Sequence, residues 1–133
     1  MNDKKKKTFD LRQRTFEFSA AALQLCRSLP TGNEIGHIRR QLSRAATSVG
    51  ANYRSALRSK STRDFIAKLG TVEEEADECV FWLDLLKAAA SEHGPEIANL
   101  RAEANELLAI TVASRKTARA KMQSANSEVR SAK

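Results

Sequence analysis

Basic side chains recur at helical spacing within one segment of the sequence. Arg40 and Arg44 stand four positions apart, as do Arg54 and Arg58, so each pair lies on one side of a helix. The planar fork of an Arg side chain suits phosphate, and a row of cations suits a nucleic-acid backbone. The segment therefore predicts a surface for RNA or DNA. Its candidate residues are Arg39, Arg40, Arg54, Arg58, Lys60 and Arg63.

The same arginines have a second interpretation. Carboxylates follow in the next predicted helix, between Glu73 and Glu78, and could pair with the arginines within one subunit or across an interface. Arg44 is the strongest case, because it adjoins a stripe of small residues and could be held by Glu75. Under this interpretation the chain is a structural or protein-binding oligomer with no role in nucleic-acid binding.

The residue pattern does not favour an enzyme. A di-metal site in a helical bundle needs inward Glu-x-x-His pairs. His37 follows Glu34 at that spacing but off the apolar stripe, and His93 follows no Glu at that spacing. The sequence has no Gly-rich phosphate loop, no nucleophile with a plausible His partner and no zinc-ligand spacing. We therefore expect no catalytic residue, metal, cofactor or small-molecule substrate.

Charge is unevenly distributed along the chain. The formal net charge is +7 and the sequence pI is about 9.8. Basic residues dominate from Glu34 to Lys68 and carboxylates from Leu69 to Glu92. Such polarity suits either an anionic partner or the association of basic and acidic surfaces. Because no apolar run could span a bilayer and no leader is recognisable, we expect a cytoplasmic protein without membrane contact.

Hydrophobic periodicity predicts an all-α protein. The third predicted helix carries a heptad seam and ends near Glu92; the first is expected over about residues 8–28, the second over 33–58, and the fourth ends near Lys121. Short turns between them predict an antiparallel, up-down-up-down four-helix bundle. We expect a basic leader at 1–7, the bundle at 8–122 and a frayed, polar basic tail at 123–133. The predicted seam is Phe65, Leu69, Val72, Ala76, Cys79, Leu83 and Leu86.

Some residues near the predicted core require further partners. Asn52 falls on the apolar stripe of the second helix, where an unpaired amide would be costly, so it must bond within the subunit or across an interface. Tyr53 and Trp82 lie beside the core and could anchor a contact. Together with the oppositely charged faces, these residues predict a homo-oligomer. On the first helix the predicted core stripe is Phe9, Phe16, Ala20, Leu23 and Cys26.

The second and third predicted helices resemble a known family. Gln41–Asn52 reads QLSRAATSVGAN, Lys60–Leu69 reads KSTRDFIAKL, and Glu73–Glu78 reads EEEADE, followed by Trp82 and Leu83. These stretches resemble the corresponding helices of the four-helix-bundle family named for the 23S rRNA-intervening sequence proteins. The resemblance is dense over the two central helices and loose in the outer two.

The resemblance carries its own expectations. Members of the family, and the related accessory proteins of diversity-generating retroelements, form four-helix bundles that assemble as homopentamers around a central channel. The retroelement branch binds nucleic acid. Many members have an Ala-Glu-Gly step after the Asn, and Tyr53–Ala56 replaces it here, which indicates a different subgroup. The resemblance thus implies a pentamer with RNA or DNA as a candidate partner.

Overall fold

Four α-helices pack side by side in the computed structural model of the protein, which describes residues 10–132. The predicted leader at 1–7 and the possible cap Thr8 lie outside the described residues. The helices are α1 (Leu11–Ser28), α2 (Asn33–Ala56), α3 (Thr62–Ala89) and α4 (Gly94–Ala132), with a 3₁₀ turn (Ser91–His93) before α4. The all-α four-helix-bundle class is confirmed. Within the described part of the chain, no helix has the length and apolarity needed to cross a membrane.

Helix boundaries follow local capping and helix propensity. The Asp10 side chain accepts a hydrogen bond from the Gln13 backbone N–H and begins α1. Gly32, rather than Asn33, is the N-cap of α2. Helix α2 ends at Ala56, and α3 ends before the predicted position. Helix α4 is 39 residues long and runs beyond the predicted end; residues 122–132 contain no Gly or Pro that would interrupt the helix.

The heptad seam of α3 forms the centre of the core. Every residue of the predicted seam except Phe65 is buried, and Ile66 is buried beside it. Ile97, Leu100, Ala104 and Leu107 cover this seam from α4. The core thus contains nearly all the residues that the 3–4 spacing selected on the third predicted helix.

The predicted core stripe of α1 is correct at Cys26, which is buried, and wrong at Phe16 and Leu23. Phe16 is 64% exposed and Leu23 is 43% exposed, whereas Phe18, Ala22 and Leu25 are buried. Both sets have helical spacing, so periodicity alone could not choose between them. The set containing Ala22 lies inward because α2 presents small residues there and the two helices approach closely. Phe9 of the predicted stripe lies outside the described residues.

Arginine–carboxylate pairs connect α3 to α4 along their length. Arg101 Nε lies 2.5 Å from Asp84 Oδ1, and Arg115 Nη1 lies 3.3 Å from Glu73 Oε2. A late residue of α3 thus meets an early residue of α4, and the two helices run antiparallel. Gly70 leaves room for the second pair, because a Cβ there would lie 3.2 Å from Arg115 Nη2.

Arg44 connects α2 to α3 through two carboxylates. Arg44 Nη1 lies 3.2 Å from Glu75 Oε2, and Arg44 Nη2 also contacts Glu78 Oε1. The pairing predicted between Arg44 and Glu75 is confirmed. The Arg44 guanidinium, assisted by the indole N–H of Trp82, lowers the pKa of the Glu78 carboxyl.

Helices α1 and α4 are joined by the most enclosed of these pairs. The Arg14 Nε and Nη2 atoms donate to the two carboxylate oxygens of Glu103, each at 2.7 Å, and Nη2 also lies 3.0 Å from Glu106 Oε2. The hydrogen bonds to Glu103 raise the pKa of Arg14 despite its partial burial. Such bidentate geometry is the strongest form of this interaction.

Helices α1 and α2 meet differently, through close backbone approach. The Ser19 hydroxyl donates to the Ala46 carbonyl at 2.6 Å. A Cβ on Gly50 would lie 2.6 Å from Ser19 Oγ and 3.3 Å from the Thr15 carbonyl oxygen. A larger side chain at this position of α2 would therefore have to displace Ser19. Within residues 10–132, no ion pair joins α1 to α2.

We expect Gly50→Ala to destabilise the protein by about 1–3 kcal/mol, the usual cost of overpacking, partly offset by the better helix propensity of Ala. The added methyl group must displace Ser19, whose hydroxyl is held by Ala46. Gly94→Ala is the matched control, because nothing lies within 4 Å of its Cβ position. Urea denaturation measures both variants, and equal stability of the two would contradict the close approach.

Stability should fall in acid because folding lowers carboxyl pKa values. Arg44 lowers the pKa of Glu78, Arg101 that of Asp84, and Lys68 that of Asp64. This stabilisation is present above the unfolded-state carboxyl pKa, about 4, and is lost as the pH falls through the folded-state values.

The measurement is the urea midpoint at pH 6 and at pH 3, for the wild type and for Arg44→Gln. Because the variant lacks the partner of Glu78, its midpoint should fall less over this interval than that of the wild type. An identical decrease in both proteins would show that this ion pair does not couple folding to protonation.

Candidate nucleic-acid interface

The six predicted cations all lie at the surface of the bundle. Arg39 is half-buried and the other five are exposed. Within residues 10–132, none of the six forms an ion pair with a carboxylate, in contrast to the four arginines that connect helices. The absence has a simple origin in the sequence, since no Asp or Glu occurs between Ile35 and Arg63.

The structure divides the predicted row into two groups. Arg54, Arg58, Lys60 and Arg63 lie around the connection from α2 to α3, and we call them the turn cluster. Arg40 lies 14 residues before Arg54 in the sequence, which is roughly 21 Å along a helix with 1.5 Å rise per residue. The cations therefore do not form one continuous row.

The second group surrounds a groove between α1 and α2. The groove has a volume of about 570 Å³, and its lining consists of Leu23, Cys26, Arg27, Arg39, Arg40 and Ser43. We call it the arginine groove. Sequence analysis missed Arg27, because it lies in the last turn of α1, where a basic residue is explained by the helix dipole alone. Only the packing of α1 on α2 reveals its proximity to Arg39 and Arg40.

Hydrogen bonds hold the base of the arginine groove in place. The Arg39 carbonyl accepts a hydrogen bond from Ser43 Oγ at 2.7 Å and a weaker one from Cys26 Sγ at 3.7 Å. The Arg39 side chain donates from Nη1 to the Pro30 carbonyl at 3.4 Å. Burial raises the pKa of Cys26, so this residue is a packed thiol rather than a reactive one.

An apolar surface separates the two groups of cations. Phe16 and Leu23 are exposed on α1, and they line a groove of about 720 Å³ together with Gly50, Ala51 and Arg54 of α2. We call this the Phe16 surface. An exposed apolar area of this kind is a common sign of a binding site for another protein.

A second apolar surface lies on α3. Phe81 is 57% exposed and Leu85 is 41% exposed, and exposed carboxylates at Glu74 and Asp77 precede them on the same helix. We call this the Phe81 surface. It combines apolar and acidic groups, whereas the Phe16 surface combines apolar and basic groups.

Two of the residues predicted as structural or interface positions, Trp82 and Asn52, form hydrogen bonds within their own helices. Trp82 is half-buried, its Nε1 donates to Glu78 Oε1 at 3.1 Å, and its ring meets the edges of His37 and Phe81. Asn52 Nδ2 donates to the carbonyl and the hydroxyl of Ser48, at 2.9 and 2.8 Å. The amide thus finds partners within its own helix.

Tyr53 is half-buried against the core, and burial raises its pKa. The other cysteine, Cys79, is fully buried in the seam, where burial raises its pKa to about 12. Among the described residues, no three His, Cys, Asp or Glu side chains come together as a metal site.

Known proteins resemble the chain over most of its length. A model of the family described as 23S rRNA-intervening sequence protein matches residues 7–113. A crystal structure of a protein of unknown function from the S23 ribosomal protein family of Bacteroides thetaiotaomicron superposes with a TM-score of 0.73 at 27% sequence identity. That match covers 79% of this chain and 97% of the other. No curated protein matches the chain. With more than half of its length matched, the chain belongs to the 23S rRNA-intervening sequence protein family.

Proposed function

We propose that the protein is a non-enzymatic accessory protein that binds RNA or DNA through the phosphate backbone. One observation carries the proposal: the described arginines divide into those with a carboxylate on another helix and those at the surface without one. Arg14, Arg44, Arg101 and Arg115 belong to the first group. The turn cluster and the arginine groove belong to the second, and their cations are available to an anionic partner.

The composition of this surface supports contact with phosphates rather than with bases. The chain has 5 Phe, 1 Tyr and 1 Trp, and Phe18 is buried while Tyr53 and Trp82 are packed against the core. Few aromatic rings are therefore available for stacking on bases, so we expect contact with the backbone rather than base-specific reading of single strands. Affinity should depend on charge and fall steeply with salt.

The protein is proposed to act as a homo-oligomer, and the family resemblance suggests a pentamer. The Phe16 and Phe81 surfaces supply the physical reason, since both expose apolar side chains. One is flanked by Arg12 and Arg54, the other by Glu74 and Asp77, so the Phe16 surface of one copy complements the Phe81 surface of the next. Assembly repeats each group of cations once per subunit, which multiplies weak contacts.

We also propose that the protein acts in the cytoplasm. Both cysteines, Cys26 and Cys79, are buried free thiols. Buried reduced thiols are typical of a reducing compartment.

The second candidate function is a structural oligomer that binds only other protein. The observation that favours it is the Phe81 surface, whose carboxylates would repel a nucleic acid. The two candidates agree on assembly and differ on nucleic-acid binding, which makes binding the deciding measurement.

We expect micromolar or tighter binding to a short single strand and a short duplex at low salt, with affinity falling as salt rises. Replacing Arg40, Arg54 and Arg58 by Gln should weaken binding and flatten the salt dependence. Each cation–phosphate pair that the substitutions remove should reduce the slope by nearly 1. Fluorescence anisotropy over a salt series measures both quantities.

The matched control removes the same charge elsewhere, by replacing Lys87, Lys116 and Arg130 with Gln; all three side chains are exposed. It should bind nearly as well as the wild type. No binding by the wild type at low salt, or equal weakening in both triple variants, would favour the structural oligomer instead.

We expect Phe81→Ser to reduce the mass measured by light scattering, because a polar side chain there removes the apolar contact between copies. Val129→Ser is the control, since Val129 is 59% exposed near the end of α4, away from both surfaces. A mass near that of the 14.7 kDa monomer for the wild type at every concentration would rule out assembly.

A further inference from the structure

The arginine groove has a feature that simple exposure does not explain. Arg39 and Arg40 follow Gly36 by three and four positions, and long side chains on a helix point back over the preceding turn. A Cβ on Gly36 would lie 3.3 Å from Arg40 Nη1 and 3.9 Å from Arg39 Nη2. Two positive groups therefore converge above one glycine, in space that the missing methyl group leaves open.

Convergence of like charges is unfavourable unless an anion lies between them. Within the described part of the chain, no carboxylate pairs with either guanidinium, and none lines the groove. The third cation, Arg27, reaches the groove from α1. Carboxylates neutralise Arg14, Arg44, Arg101 and Arg115 at other contacts between helices, whereas within the described residues no ion pair neutralises the cations of this groove.

We propose that Arg27, Arg39 and Arg40 form a phosphate-binding site in the groove between α1 and α2. The inference rests on the proposed function in one respect, namely that the phosphate belongs to a nucleic-acid strand. The groove, at about 570 Å³, is larger than one phosphate and leaves room for an adjoining sugar. Arginine forks donate two parallel hydrogen bonds to phosphate oxygens, and Arg39 is already anchored by the Pro30 carbonyl.

Gly36→Ala tests the site without disturbing the fold. The new methyl group would press on the flexible end of Arg40 and meets no other heavy atom within 4 Å except Arg39 Nη2. Because Ala is the better helix former, the unfolding temperature of this variant should equal or exceed that of the wild type. A loss of phosphate binding in Gly36→Ala therefore cannot be attributed to unfolding.

The experiment compares wild type, Gly36→Ala, Arg27→Gln and Arg40→Gln, with Arg130→Gln as the control for removal of one exposed charge away from the groove. Two probes are used: pyrophosphate, read by the shift in unfolding temperature, and a short single strand with or without a 5′-phosphate, read by anisotropy. We expect pyrophosphate to stabilise the wild type and the control but none of the groove variants. We expect the groove variants to bind the phosphorylated strand about tenfold more weakly.

The outcomes separate this inference from the proposed function. If the wild type binds the strand and the groove variants bind it equally well, the groove is not the site and the turn cluster alone carries binding. If pyrophosphate stabilises only proteins with an intact groove but no strand binds, the site is confirmed for free phosphate and nucleic-acid binding is refuted. If Arg27→Gln changes only the mass of the assembly, the groove is a contact between copies and the inference is wrong.

Discussion

Burial of the α3 seam is the constraint on which the rest of the structure depends. Its apolar residues require α2 on one side and α4 on the other, and carboxylates flank the seam on both sides. The arginines that reach the seam from α2 and α4 therefore meet acidic partners; they are Arg44, Arg101 and Arg115. Such pairs contribute little stability at an exposed surface. Their main effect is to decide which cations are neutralised.

Helix α1 lies outside this arrangement. It packs on α2 through small residues, with Ser19 against Gly50, and its single ion-paired arginine, Arg14, turns toward α4. The segment that forms α2 and the turn after it contains no carboxylate beyond Glu34 until Asp64. The contact between α1 and α2 thus combines close backbone approach with unneutralised cations. On the α1–α2 side of the bundle, an anionic partner therefore meets the least electrostatic repulsion.

The sequence predicted the elements that depend on long, regular periodicity. The α3 seam from Leu69 to Leu86 and the Arg44–Glu75 pair are present as expected, because both follow from helical spacing and the short α2–α3 connection. The inward face of α1 was wrong at Phe16 and Leu23, because the set with Phe16 and the set with Phe18 have equal periodicity and only the close approach to α2 selects between them. Arg27 was missed for a related reason, since its neighbours come from another helix.

NMR of the arginine Nε–H groups tests most directly whether the arginines divide into a structural group and a phosphate-binding group. On adding a short oligonucleotide at low salt, we predict that the signals of Arg40, Arg54 and Arg58 shift. The signals of Arg44 and Arg101, which are held by carboxylates, should remain in place. Shifts of equal size in both groups, or none in either, would contradict the account.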